Sequence, residues 1–369
     1  LDSGHAYSVS GNVFFHVDRF AHYGQLARLQ PDEMQATERV ASDAFGKRDP
    51  RDFALWKAAQ PGEPSWPAPF GDGRPGWHIE CSAMSMRFFG ATFDVHLGGA
   101  DLMFPHHENE IAQSEAASGK RFVRHWMHCQ HLIVDGTKMS KSRGNGIDPI
   151  EVVDLFGADA LRFTLLSSAA VGTDIQLDQD DLEGSFSQGR NFANKLWNAG
   201  RFALMTLGDD PVPTVADVSA ALELEDRWIL SRLQRTTESV TEGLGRFRLH
   251  EVADRLYHFV WGDFADWYLE LIKPRMQGKS GDDSLQAARA TLVAVLDGIL
   301  RLLHPLTPFV TSALWERLPW PAGVDRPDAL IIAPWPELDA GLVDEESERR
   351  LGELQELVTQ VRSLRKEYS

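Results

Sequence analysis

Apolar positions follow two different periods along this chain. Short β-prone runs at Ala6–Val9 and at residues 13–17 flank Ser10-Gly11-Asn12, a spacing that predicts a hairpin. Residues 31–75 are polar and proline-rich, with Trp56, Trp66 and several Gly-Pro turns, and predict a loop-rich insertion. From Gly76 the pattern becomes α/β. Residues 91–97 predict a buried strand, Gly98-Gly99 a turn, residues 104–117 a helix, and residues 131–134 a second strand. Strands alternating with helices, with glycine turns at strand ends, predict half of a doubly wound sheet.

After Asn145 the period is helical. Ile229, Leu233, Val240, Leu244 and Phe247 form one series; Leu285, Ala288, Leu292, Leu296, Ile299 and Leu303 form another, ended by Pro305 and Pro308. From Asp344, the residues Leu351, Leu354, Val358 and Val361 repeat at heptad-like spacing and predict the start of a coiled coil. The turn Asp178-Gln179-Asp180-Asp181 predicts a solvated helix start, its carboxylates suiting the helix dipole. No internal repeat or low-complexity segment interrupts this order. The organisation expected is residues 1–75 as connective insertion and loop-rich segment, 76–135 as half of an α/β domain, and 136–212 as a lysine loop and the segment that follows it. A helical domain follows at 213–340, then the start of a C-terminal helix at 341–369.

With 369 residues there is room for two or three cores. Apolar residues make up 43% and charged residues 25%, an ordinary globular balance. No apolar run nears the roughly 20 residues that span a bilayer, so no membrane role is expected, and no signal peptide is visible. Two cysteines, Cys81 and Cys129, exclude a disulfide framework and fit a reducing cytoplasm. A net charge of -17 argues against a nucleic-acid coat, yet leaves room for a local basic surface. The chain opens on Leu1 and stops at Ser369 inside a helical pattern, and reads as a piece of something longer, expected to act as a monomer.

Two clusters carry chemistry. The loop 136–145 contains Lys138-Met139-Ser140-Lys141-Ser142, three basic side chains and no acid, between Gly136 and Gly144. Its glycines admit close backbone approach and its lysines can meet a polyphosphate; the same composition also serves a merely solvated loop. The second cluster is Pro105-His106-His107-Glu108-Asn109-Glu110. On a helix His106 and Glu110, four apart, share a face, and Cys81 offers a third donor from the sheet edge. Thiolate, imidazole and carboxylate suit Zn2+. The alternative is a helix-lining histidine and an ordinary buried thiol. His107 and Glu108 are expected to point elsewhere and to be structural, and Cys129 is read as a buried thiol or a further ligand.

Residues 73–84 (Gly-Arg-Pro-Gly-Trp77-His78-Ile79-Glu80-Cys81-Ser-Ala-Met), 99–110, Trp126-Met127-His128 and Lys138 to Ser142 together resemble cysteinyl-tRNA synthetase. The resemblance spans about residues 1–145. It implies a class I synthetase with a Rossmann-type (HUP-like) α/β half domain, followed by an α-helical anticodon-binding bundle. It also implies Zn2+ held by Cys81, His106 and Glu110, three of that family's four ligands, to select the thiol of cysteine over the hydroxyl of serine. Trp77 falls on the amino-acid pocket, and His96, Gly98, Gly99 and Asp101 on the adenylate site. Lys138, Met139, Ser140, Lys141 and Ser142 fall on the mobile ATP loop, with Lys138 and Lys141 catalytic and Mg2+ accompanying ATP. The family's first zinc cysteine and its His-Ile-Gly-His motif do not occur in this sequence.

Beyond the loop the resemblance changes. Ile147-Asp148-Pro149, residues 157–165, 190–199 and 226–230, and Asp266-Trp267-Tyr268-Leu269-Glu270-Leu271-Ile272-Lys273-Pro274 resemble valyl-tRNA synthetase. The function implied is ATP-dependent ligation of cysteine to tRNA, with valine–tRNA ligase as alternative. A cysteine ligase of mycothiol synthesis and a non-catalytic tRNA-binding module are further alternatives. Arg190, Lys195, Arg201, Lys273 and Arg275 are candidate phosphate contacts against an acidic background. Trp261, Phe264, Trp267 and Tyr268 form either a bundle core or a base-stacking set.

Overall fold

The computed structural model describes residues 1–29, 46–208, 210–321 and 323–367; the Lys141 and Glu367 side chains lie outside that description. Two compact units divide the chain, Leu1–His131 and Leu132–Ser369.

The first unit opens with the expected hairpin, β1 (Ala6–Val9) against β2 (Asn12–Phe15), with Val9 opposite Asn12. Ser10 at φ 51° and Gly11 at φ 80° supply the left-handed pair that a two-residue turn requires. The expected loop-rich stretch 31–75 carries two short strands among the described residues. Phe53–Ala58 forms β3 and Gly73–Pro75 forms β4, giving an antiparallel sheet of order β1-β2-β3-β4. The apolar start of β3 explains this, since Phe53 stacks on Phe15 at 4.9 Å and both rings are buried. Part of the 31–75 reading, residues 31–45, lies outside the described residues.

Helix α1 (Trp77–Phe89) follows, then β5 (Phe93–Gly99), α2 (Glu108–Ser118) and β6 (Val123–Cys129). Strands β5 and β6 pair in parallel from Phe93–Val123 to Gly99–Cys129, so β5, α2 and β6 form one crossover unit, as expected of a doubly wound sheet. The strand expected at 91–97 is shifted and is buried on one face only. His96 and Trp126 turn inward, whereas Val95, Leu97 and Met127 are exposed. The helix expected from residue 104 begins at Glu108, because Phe104 is extended (φ -132°, ψ 132°) and a wide turn, Met103–His107, intervenes. Gln113 on α2 donates from Nε2 to the His78 carbonyl at 2.7 Å and to Ser82 Oγ at 2.6 Å, fixing α2 against α1.

In the second unit β7 (Leu132–Val134) pairs antiparallel with β8 (Thr137–Lys138) and parallel with β9 (Ile175–Leu177). Between them lie α3 (Pro149–Phe156), capped by Asp148, and α4 (Ala158–Ser168). Then come α5 (Leu182–Leu207), α6 (Leu224–Gly245), α7 (Leu249–His258), a wide helical segment Phe259–Tyr268, α8 (Asp282–Leu303), α9 (Pro308–Trp315) and α10 (Glu345–Glu367). The acidic turn does start a helix: Asp181 caps α5 by accepting from the Gly184 N–H at 2.7 Å. One continuous core joins these helices through residues such as Phe192, Leu196, Ile229, Phe264, Tyr268, Leu296 and Ile299. On α10 the heptad-like series starts in that core with Leu351; Val358 is half-buried, while Leu354 and Val361 are exposed. No helix of the described residues is long and apolar enough to cross a membrane.

Candidate functional site

The Cys81 thiol, the His106 imidazole and the Glu110 carboxylate each place one donor atom within 4.8 Å of the others. Cys81 reaches this point from the second turn of α1, not from a sheet edge, so α1, the wide turn Met103–His107 and α2 each supply one group. His106 Nε2 lies 2.8 Å from Glu110 Oε1. Glu110 is 0% exposed, and neither carboxylate oxygen has a hydrogen-bond partner among the described residues. A buried carboxylate is costly even with an imidazole 2.8 Å away, and a cation would offset that cost. Sulfur, imidazole and carboxylate close enough together to share one ion fit zinc.

The surrounding groups orient this set. His78 Nδ1 lies 2.8 Å from His106 Nδ1, leaving His106 Nε2 toward Glu110. Burial pushes the His78 imidazole down to about 3, so it stays neutral. Trp77 stacks on His106 with ring centroids 4.5 Å apart and walls the site on one side. Burial, with the carboxylates of Glu110 and Glu80 adding to it, raises the Cys81 thiol above its ordinary range.

A second group shares Glu110. His96, His107 and Glu110 also converge within 4.8 Å, with His96 Nδ1 3.7 Å from Glu110 Oε2. His107, expected to point away, donates to or accepts from His128 at 2.8 Å, and its ring lies against the backbone of Gly98. A Cβ at position 98 would sit 2.5 Å from that ring, which is why glycine stands there. Gly99 and Asp101 are adjacent, and Asp101 Oδ1 lies 3.9 Å from His131 Nε2. Thus His96 borders the candidate metal set through Glu110 and Gly98 through His107, while Gly99 and Asp101 contact each other beside His131. Glu108 is structural as expected, its oxygens accepting from the backbone of Gly24 (3.0 Å) and Ala27 (2.8 Å). Cys129 is exposed, which corrects the reading of a buried thiol.

The lysine loop belongs to the second unit. The turn Asp135-Gly136 (φ 51° and 73°) folds β8 back on β7 and sets Lys138 opposite Ile133. Asn145 holds the loop shut: its Oδ1 accepts from the Ser140 N–H at 2.9 Å, and its Nδ2 donates to Thr137 Oγ1 at 3.1 Å and the Lys138 carbonyl at 3.3 Å. Ser140 and Ser142 hydroxyls face each other at 3.3 Å. Met139 donates its N–H to the Leu132 carbonyl at 2.8 Å. The Lys141 side chain lies outside the described residues.

Residues 1–186 match a family model described as the catalytic domain of class I (C) tRNA synthetases, and residues 226–369 one described as an anticodon-binding domain of tRNA ligases. The chain belongs to the class I tRNA synthetases. A cysteine–tRNA ligase of Pelotomaculum thermopropionicum is 56% identical over 168 residues, covering 46% of this chain and 34% of that protein. A valine–tRNA ligase of Staphylococcus saprophyticus is 38% identical over 270 residues, covering 73% of this chain and 30% of that protein. The chain thus spans about a third of the length of these curated relatives. Among solved structures, Mycobacterium tuberculosis methionyl-tRNA synthetase in complex with methionyl-adenylate superposes with a TM-score of 0.59 at 21% identity, covering 83% of this chain and 62% of that one. That likeness concerns the synthetase fold.

Within this class I synthetase chain the candidate phosphate contacts divide. Arg190 forms a two-pronged pair with Glu183 (2.6 and 2.7 Å), Lys195 pairs with Asp266 (2.6 Å) and Lys273 with Glu270 (2.5 Å), all near the surface. Arg275 is not a surface cation. It is 3% exposed and is held by Asp226 (2.6 Å), Glu225 (2.8 Å) and Ser284 (2.9 Å), so its place among the phosphate contacts is withdrawn. Phe264 and Tyr268 are fully buried in the bundle core, with Trp261 and Trp267 packed against it.

His78, His107 and Asn145 are the site residues that sequence reasoning missed. The signal was available for two of them: His78 follows Trp77 three residues before Cys81, and His107 directly follows His106.

Proposed function

We propose that this chain carries the cysteine-selecting and tRNA-binding parts of a cysteine–tRNA ligase, with Zn2+ held by Cys81, His106 and Glu110. One observation carries the reading: three zinc-type donors converge on a buried point where Glu110 has no other hydrogen-bond partner. When bound, zinc would supply a soft acceptor that prefers a substrate thiolate to a hydroxyl. The residues of the chain do the rest. His78 orients His106, Trp77 closes one wall, and His96, Gly98, Gly99 and Asp101 form the adenylate side of the same unit. Lys138 and Lys141 meet the phosphates of ATP, accompanied by Mg2+, and Met139, Ser140 and Ser142 shape that loop. In this reading Arg190, Lys195 and Lys273 exchange their exposed carboxylate partners for tRNA phosphates, at little cost because such pairs are weak. The protein works as a cytoplasmic monomer.

The test is metal content and ligand choice together. The purified chain is expected to hold zinc that is lost in Cys81→Ser and His106→Asn, and to bind cysteine in preference to serine only when loaded. Zinc-free protein with unaltered cysteine binding would end the proposal. Valine–tRNA ligase is the second reading, favoured by the 73% of the chain that aligns with such an enzyme. It requires valine, not cysteine, to protect the chain from unfolding.

A further inference from the structure

The turn from α6 to α7 holds Phe247, 66% exposed, between Arg246 and Arg248. Its backbone is left-handed at φ 57°. The turn closes through Arg246 N–H to the Glu242 carbonyl (3.1 Å), Phe247 N–H to Leu244 (3.0 Å) and Arg248 N–H to Gly243 (2.9 Å). A left-handed residue just past a helix end is where glycine is favoured, because a Cβ there meets the backbone. A bulky aromatic in that conformation is an outlier. The hydrophobic series of α6 extends to Phe247 in the sequence, yet its ring joins no core cluster among the described residues. The chain therefore accepts strain to hold a large apolar ring in water. Strain of this kind gathers where a residue has a task other than stability.

The flanking chemistry narrows the task. Arg246 pairs with Glu242 at 2.8 Å and Arg248 with Glu251 at 3.2 Å, all four side chains largely exposed, so either guanidinium can be drawn to another anion at low cost. One ring amid charged neighbours is too small an apolar area to seat a protein partner. An aromatic face bracketed by two guanidiniums suits an unpaired nucleobase, stacked on the ring with its phosphates on either side. The turn lies inside the segment that matches an anticodon-binding domain.

We infer that the α6–α7 turn is a stacking platform for a single unpaired nucleotide in an RNA loop, with Phe247 under the base and Arg246 and Arg248 on the flanking phosphates. The inference rests on the tRNA reading above and assigns it one contact point.

The experiment uses the whole chain, a short RNA hairpin with 2-aminopurine in its loop, and a fully paired duplex of the same length. Wild type is expected to prefer the hairpin and to quench the probe as it stacks. Phe247→Gly, which relieves the left-handed strain, should raise the melting temperature by a few degrees and yet weaken hairpin binding on the order of tenfold, with loss of quenching. Phe247→Trp should keep both binding and quenching, whereas Phe247→Leu should behave as the glycine variant. Arg246→Ala and Arg248→Ala should each lower the salt dependence of binding by about one unit of slope. Equal affinity and quenching in wild type and Phe247→Gly would overturn the platform while leaving the tRNA reading intact. A wild type that binds neither RNA would overturn both. In each case zinc content reports separately on the metal site.

Discussion

The Nδ1 atoms of His78 and His106 lie 2.8 Å apart, so one imidazole must donate to the other. Burial keeps His78 neutral, a single proton lies between the two Nδ1 atoms, and His106 Nε2 faces Glu110. Groups that orient a ligand in this way typically matter by about ten- to a hundredfold in metal affinity. His78→Phe should weaken zinc binding within that range without removing a ligand, measured by competition with a chromogenic chelator. Unchanged affinity would show that the contact is packing alone.

Zinc capture should depend on pH in a definite direction. The raised Cys81 thiol is protonated near neutrality and must lose its proton to become a ligand. Apparent affinity should therefore rise by about tenfold per pH unit as pH increases below that raised value. Titration of the metal at two pH values, with proton release followed by a weak buffer dye, checks the sign. A flat profile would remove Cys81 from the ligand set.

Gly98 is closed to any side chain by the His107 ring, 2.5 Å from where a Cβ would stand. Gly98→Ala should cost about 1–3 kcal/mol, the usual penalty of overpacking. It should also disturb His107 and its partner His128. Denaturant unfolding measures the first effect and the histidine ring resonances the second.

Asp159 on α4 accepts from the backbone N–H groups of Phe309 (3.2 Å) and Val310 (2.6 Å), at the start of α9. Asp159→Ala leaves two donors unpaired and should destabilise the second unit by roughly 1–3 kcal/mol. Burial holds the Asp159 carboxyl above its usual range despite those bonds. The folded state thus binds a proton more readily than the unfolded one. Above the raised value this residue's ionisation detracts from stability, and the deficit shrinks as pH falls toward the ordinary aspartate range. The cost of the alanine change should therefore vary with pH below neutrality, readable as a shift in urea midpoint.

Removal of the Asn145 side chain takes three hydrogen bonds from the lysine loop. Asn145→Ala should speed tryptic cleavage after Lys138 and Arg143 several-fold while leaving the melting temperature within about 2 °C, since the loop adds little to the core. Cleavage at the wild-type rate would mean that β7 and β8 alone fix the loop.

The sequence made much of this visible. Helical periods around Ile229 and Leu292 announced α6 and α8 because each buries one continuous face in the bundle. The Ser10-Gly11 turn announced the first hairpin because only a left-handed pair closes it. The metal set was legible as residue types, but not the element that carries Cys81, since one thiol has no period. Strands β3 and β4 were hidden because β3 pairs with β2, distant in sequence, and β4 with β3, within a stretch dense in proline and glycine. Arg275 misled for a related reason: a guanidinium reads as surface charge until Asp226, Glu225 and Ser284, brought together by folding, enclose it.

The outward side of the β5–β6 ribbon bears on how this chain can be handled. Val95, Leu97 and Met127 stand there in water, and Met84, Phe88 and Phe89 of α1 are exposed as well. Parallel strands are normally clothed on both sides, and bare apolar surface of this kind drives association between molecules. Light scattering should therefore climb with concentration in plain buffer. Replacing Leu97 and Phe88 with serine should suppress that climb without altering Cys81, His106 or Glu110.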